Sequence, residues 1–203
     1  RQNRYTPLYF SSTMKTIWII DAAYLFNYGK GHPFDYLKLK KQIEIANGGP
    51  LHESYYLNSS QDPSSDAQAF HTWLKTAPPK GPKFRVQLYK LKTMHMRCPD
   101  CSATFDRQVQ KGVDVGIATL IMKLAMQNNY DRLILSAGDG DFEEAIDFVK
   151  SDLRKEVWMC GSEKNLSPDL QSLADQVLFG ELVNGGSVTV AVVVTCLPWP
   201  IRI

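Results

Sequence analysis

The residues best equipped for chemistry in this 203-residue chain are four aspartates. Asp21 ends a short apolar run, Ile17-Trp18-Ile19-Ile20. Asp139 and Asp141 follow another, in Ser136-Ala137-Gly138-Asp139-Gly140-Asp141-Phe142, and Asp114 opens a long helical pattern. In an open parallel sheet, sites form where strands end, beside the point at which strand order reverses, and all four acids can meet there. Singly, each has a plainer role: Asp21, Asp139 and Asp141 as helix caps or turn residues, Asp114 as a first-turn acid complementing the helix dipole. Jointly they are harder to explain that way. Two carboxylates about 4 Å apart repel by about 4 kcal/mol at an effective dielectric near 20, so four in one cleft call for bound cations. All-oxygen ligation selects Mg²⁺ or Mn²⁺ rather than Zn²⁺. Such ions serve phosphoryl chemistry by activating water and stabilising the leaving oxygen. The pattern points to a metal-dependent phosphodiesterase or phosphatase.

The elements that must position these acids alternate along the chain. The apolar runs at 17–20, 54–57, 132–135, 156–160 and 177–179 read as strands, and 84–91 alternates Phe84, Val86 and Leu88 against polar neighbours. Between them, helical spacing runs over 35–46, over 64–77 behind Ser64 and Ser65 as caps, over 113–128, over 141–153 and over 168–174. Strands alternating with helices predict one α/β domain with a mostly parallel sheet between two helical layers.

Composition sets the outer limits. Apolar residues make up 44% and charged residues 22%, as in a globular protein with a real core. No apolar run approaches the roughly 20 residues that cross a bilayer, so no membrane role is expected. Four cysteines do not make a disulfide framework, which favours a reducing, cytoplasmic setting. Residues 1–13 and 181–203 read as extensions of a domain spanning 14–180, with Met14 as its expected start. The run VTVAVVVTCL at 188–197 reads as a buried or appended strand.

A net charge of +2 hides an uneven distribution. Residues 80–111 hold eight lysines and arginines against Asp100 and Asp106, a local +6 that leaves −4 elsewhere. Lys90, Lys92, Arg97, Arg107 and Lys111, interleaved with Phe84, Tyr89 and Phe105, suit single-stranded RNA, with phosphates on the cations and bases on the rings. The plainer alternative is a solvated hairpin whose lysines protect an edge. Cys98-Pro99-Asp100-Cys101 within this hairpin has the form of a zinc knuckle, which is half of a tetrahedral site. His95 is a candidate third ligand, and Cys160 or a second subunit a candidate fourth. The alternatives are a plain turn with free thiols or a redox pair. An unpaired knuckle makes a homodimer plausible.

IWIIDAAYLFN (17–27), QKGVDVGIATLIMKLA (110–125) and LILSAGDGDFEEAIDFVK (133–150) together resemble the three motifs of the NYN domain, in its bacterial LabA-like branch, within the PIN-like nucleases. The resemblance covers about 165 residues, 14–179. It implies a three-layer PIN-like (Rossmann-like) fold with a protruding basic hairpin and strand order 3-2-1-4-5. It also implies Mg²⁺- or Mn²⁺-dependent cleavage of RNA to a 5′-phosphate and a 3′-hydroxyl. By the same resemblance Asp21 matches the first-strand acid, Asp114 the helix acid, Asp139 and Asp141 the acids of the closing motif, and Ser136 a small hydroxyl residue beside them. One position departs: many NYN sequences carry Asn three residues after the first Asp, and Tyr24 stands there. Tyr24 can face the cleft and stack on a base, and Asn27 is the alternative polar group. The corresponding alternative function is an inactive RNA- or protein-binding adaptor.

Other families that use such acids fit less well. A haloacid-dehalogenase-like phosphatase needs a second Asp two residues after the first, and Ala22-Ala23 follow Asp21. A toprim-type site wants a first-strand Glu. No Gly-x-Gly-x-x-Gly follows the first strand, and no Ser/His/Asp or Cys/His arrangement is evident among His32, His52, His71 and His95. A small-molecule phosphatase stays the third alternative.

Overall fold

A computed structural model describes residues 14–28, 35–60, 64–109, 112–162, 165–183 and 187–193. The first strand, β1 (Thr16–Asp21), is flanked by β2 (Glu53–Ser60) and by β6 (Arg132–Ser136), both parallel to it. β3 (Arg85–Lys90) extends the sheet beyond β2. On the other side come β7 (Glu156–Gly161), β8 (Gln176–Val183) and the antiparallel β9 (Ser187–Val193). The order β3-β2-β1-β6-β7-β8-β9 has its reversal between β1 and β6. Omitting the separate hairpin of β4 (Lys92–Arg97) and β5 (Thr104–Val109), its first five strands read 3-2-1-4-5, as the family resemblance implies.

Period-two alternation along the buried strands builds two cores. Ile17, Ile19, Leu133 and Leu135 face one side, with α4 (Val113–Met126), α5 (Glu143–Asp147) and α6 (Pro168–Leu173). Trp18, Ile20, Ile134 and Trp158 face the other, with α1 (Ala22–Tyr28), α2 (Tyr36–Asn47) and α3 (Ser65–Lys75). The result is the expected three-layer α/β domain with a mostly parallel sheet and a protruding hairpin. Local chemistry sets the helix ends. Asp35 accepts the Lys38 N–H at 3.1 Å to start α2, and Gly48 at φ 77° ends it in the left-handed conformation. Ser64 accepts the Ala67 N–H to start α3.

Three elements differ from the sequence pattern. α1 has no periodic signal of its own; the strand's last residue starts it, because Asp21 accepts the Ala23 N–H at 2.9 Å. The helix expected over 141–153 is instead a 3-10 turn (Gly140–Phe142), α5 and a π turn (Phe148–Asp152). β8 runs through Val183, so the boundary expected at 180 falls inside a paired strand, and 187–193 complete the sheet edge. Among the described residues, no helix is long and apolar enough to cross a membrane.

Candidate active site

Asp21 lies at the C-terminal end of β1, in register with Leu57, on the face of the sheet shared by Ile17 and Ile19. α4 packs on that same face through Val113, Ile117 and Ile121, and this brings Asp114 in its first turn over the strand end. Asp139 and Asp141 emerge from the turn after β6, the neighbouring strand across the reversal of order. Burial pushes the Asp21 carboxyl above its usual value, against N–H bonds from Ala23 and Tyr24, and the charges of Asp114 and Asp139 add to the rise. Burial likewise raises Asp114, helped by the charges of Asp139 and Asp141. All four acids are therefore neighbours at one end of the sheet and repel one another.

The capping roles coexist with this clustering. Asp21 and Asp139 each use Oδ1 to accept an N–H at the start of the following turn, from Ala23 and Asp141 respectively, and Asp21 also accepts the Tyr24 N–H. A carboxylate offers about four lone-pair sites, so capping does not consume its ability to hold a cation. Among the described residues, no three acidic, histidine or cysteine side chains are gathered closely enough to hold a metal ion. The cluster is an open, mutually repelling array rather than a cage. Its donors are all oxygens, the donor type that Mg²⁺ and Mn²⁺ take.

Of the three residues singled out beside the acids, Ser136 lies on the other side of the sheet. It is fully buried there, and its hydroxyl accepts the Trp18 indole N–H at 2.9 Å and bonds Cys160. Period two puts it there: Asp21 shares the face of residues 17 and 19, whereas Ser136 shares that of Ile134. Tyr24 is half-buried, and its hydroxyl accepts the Ser162 N–H at 3.1 Å. Its ring crosses two glycines that leave room for it. A Cβ on Gly138 would come within 2.8 Å of Tyr24 Cδ2, and one on Gly161 within 2.9 Å of Tyr24 Cζ. The ring thus packs α1 against the ends of β6 and β7. Asn27 is exposed on α1.

Sequence reasoning did not single out Gly116. Tyr89, on the last turn of β3, lies directly over it, and a Cβ there would fall within 2.9 Å of Tyr89 Cε1. Gly112, at φ 93°, precedes α4 without a side-chain cap. Together the two glycines let β3 hold the first turn of α4, and with it Asp114. The available signal was a glycine inside a helical pattern, which in a helix interior calls for a packing reason.

Lys90 and Arg97 are exposed, and Lys92 and Arg107 lie on the hairpin strands. Lys111 lies outside the described residues. Of the three aromatics expected to meet bases, Phe84 is in the core against Trp18 and Tyr36, and Tyr89 is on Gly116; Phe105 is 49% exposed. His95 is bonded through Nδ1 to Asp106 across the hairpin. Cys160 is buried in the sheet core, its thiol pushed up to about 11 by loss of solvent, and it is not grouped with Cys98 and Cys101. His71 is buried beside Phe70, its imidazole lowered by burial and by Lys75.

No curated protein matches the chain. A solved structure of a protein of unknown function from Vibrio parahaemolyticus is similar in fold, with a TM-score of 0.60 and 21% identity over 88% of this chain and 98% of that one. A UDP-GlcNAc 2-epimerase from Methanocaldococcus jannaschii is matched at a TM-score of 0.36, 11% identity and 82% of this chain against 39% of the enzyme, too distant to inform the site. The family model of the NYN domain matches residues 15–183. The chain thus belongs to the NYN domain family, a family of PIN-like nucleases.

Proposed function

We propose that the protein is a metal-dependent ribonuclease whose Asp21, Asp114, Asp139 and Asp141 hold Mg²⁺ or Mn²⁺ against an RNA phosphodiester. The observation that carries this reading is the gathering of four acids at the sheet's reversal point, where burial first, and then the neighbouring carboxylates, raise the carboxyls of Asp21 and Asp114. A divalent ion supplies Lewis-acid stabilisation of phosphoryl oxygens and an activated water. The chain's own contribution is placement. β1 and the turn after β6 fix three of the acids from the sheet, and Tyr89 on Gly116 fixes the helix that carries Asp114. Asp21 and Asp139, each tied to backbone N–H groups of the following turn, keep their orientation without help from a substrate. The hairpin cations Lys90, Lys92, Arg97 and Arg107, with Lys111, draw in the RNA backbone, and single-stranded RNA suits the exposed Phe105.

The decisive assay is cleavage of labelled single-stranded RNA in Mn²⁺ by wild type and Asp139→Asn. The asparagine keeps an oxygen to accept the Asp141 N–H, so the turn and the fold survive. Cleavage falls roughly a hundredfold or more, the scale of losing one electrostatic anchor in an active site. A fully folded wild type, free of contaminating nuclease, that cleaves nothing across metals and substrates refutes the proposal.

The packing of Tyr24 favours a second reading, a binding-only adaptor, since the position that is Asn in many relatives is here filled by a structural ring. That reading expects RNA binding that survives EDTA and disappears when Lys90, Lys92 and Arg97 are neutralised.

A further inference from the structure

Cys98 and Cys101 stand at the tip of the β4–β5 hairpin, in a turn closed by Cys98 N–H to Ala103 O at 2.9 Å and Ser102 N–H to Cys98 O at 3.0 Å. Ser102, at φ 58°, turns the chain back. Cys98 Sγ accepts the backbone N–H groups of Cys101 and Asp100 and bonds the Cys101 thiol. Amide N–H groups converging on a sulfur stabilise a thiolate, the form that binds metal. Both sulfurs are reduced, and Cys101 is exposed. The turn is organised to present two thiolates to one ion.

One chain does not complete that site. His95, three residues before Cys98, bonds Asp106 through Nδ1 and is not grouped with the two cysteines. Cys160 is buried against Ser136 in the sheet. Among the described residues, no third His, Cys, Asp or Glu joins the pair. A structural zinc takes four ligands in a closed tetrahedron, so the knuckle is half a site.

The hairpin also leaves three apolar side chains uncovered toward its tip. In its antiparallel register Met96 stands opposite Phe105 and Met94 opposite Arg107, so Met94, Met96 and Phe105 share one face, with Arg107 and Lys92 at its base, and the three are 42%, 36% and 49% exposed. A two-stranded sheet has no second layer of its own to bury them. A second copy of the hairpin would cover this face and supply the missing cysteines in one step.

We propose that two copies of this chain share one zinc ion at their hairpin tips, each giving Cys98 and Cys101, with the Met94, Met96 and Phe105 faces packed together. On binding, the four thiols release their protons to solvent. The resulting site carries two net negative charges, which the exposed Arg97 beside each knuckle offsets. No bond changes oxidation state. The proposal concerns neither the aspartates nor their metal, although pairing would cover Phe105, which the nuclease reading offers to RNA.

The test uses the full chain, purified in a non-thiol reductant with zinc chloride, then freed of unbound metal. Bound zinc is counted and mass is measured by light scattering, for wild type and for the Cys98→Ser/Cys101→Ser double variant. The expected result is one zinc per two wild-type chains at dimer mass, and conversion to monomer by a strong chelator. The double variant is a zinc-free monomer, with circular dichroism confirming that it is folded. Cobalt substitution gives the intense thiolate-to-metal absorption of a four-sulfur tetrahedral site. One zinc on a monomer, no zinc at all, or a dimer that persists in the zinc-free double variant overturns the proposal.

Discussion

Gly116→Ala is the perturbation that tests how Asp114 is held. In the interior of an exposed helix, Ala is favoured over Gly by about 1 kcal/mol, so the substitution should ordinarily stabilise α4. Here the added Cβ would lie within 2.9 Å of Tyr89 Cε1, and nearer still to Cζ and Oη, so the ring must leave its seat or the helix must shift. Overpacking of this kind costs about 1–3 kcal/mol, which exceeds the propensity gain and gives a net loss near 1 kcal/mol. A double-mutant cycle with Tyr89→Ala separates the two effects. Without the ring, Gly116→Ala recovers its propensity gain, and the coupling between the two sites comes to about 2 kcal/mol. Urea unfolding followed by circular dichroism reads all four variants. If Gly116→Ala raises stability equally in both backgrounds, Tyr89 does not rest on α4 and the account of how Asp114 is positioned fails with it.

Three further outcomes are expected. An acid whose carboxyl is raised in the fold retains its proton at pH values where the unfolded chain has lost it. Its contribution to stability is therefore highest below the unfolded value near 3.8 and declines as pH rises through the native value. In EDTA, Asp114→Asn should accordingly melt higher than wild type at neutral pH, by about 0.5 kcal/mol for a solvent-screened repulsion, with the difference closing below pH 3.8; a variant less stable than wild type at neutral pH contradicts the clustering. Mn²⁺ should raise the wild-type melting temperature at pH 7 and lose that effect in Asp139→Asn, as thermal scans will read. Tyr24→Phe should cost about 1 kcal/mol through the lost acceptor for Ser162 N–H. Tyr24→Asn, which restores the common family residue, should cost more, about 2–3 kcal/mol, by emptying the space over Gly138 and Gly161. A Tyr24→Asn protein as stable as wild type would mean the ring carries no packing.

What the sequence made legible follows from the range of the forces involved. Ile17-Trp18-Ile19-Ile20 and Leu133-Ile134-Leu135 are apolar throughout because both faces of a central strand are covered, and that pattern is local. It follows that the position of Asp21 at a strand end, and of Asp139 after the next strand, is also readable from local pattern. Parity is less accessible. Whether Ser136 points toward Asp21 or away from it turns on register by a single residue, and a motif match that lists Ser136 among the acids carries no information about which face it occupies. α1 was illegible for a related reason: seven residues give fewer than two helical turns of periodicity, and its cap is the same Asp21 whose strand-end position drew attention first.

The tyrosines show a longer-range limit. Tyr24 and Tyr89 both looked available, one for the cleft and one for a base, because a ring near polar residues reads as a contact for ligand. Each instead fits against glycines far away in sequence, Tyr24 on Gly138 and Gly161, Tyr89 on Gly116. A glycine in sequence reports only that a side chain is missing there, and the ring that fills the gap is identified by the fold. The two pairings have a common consequence for the site. One ring ties α1, which begins directly after Asp21, to the strand ends beside Asp139, and the other ties the first turn of α4 to the edge strand. The acids repel one another, so their convergence has to be imposed by packing elsewhere, and these glycine–tyrosine contacts are where the fold imposes it.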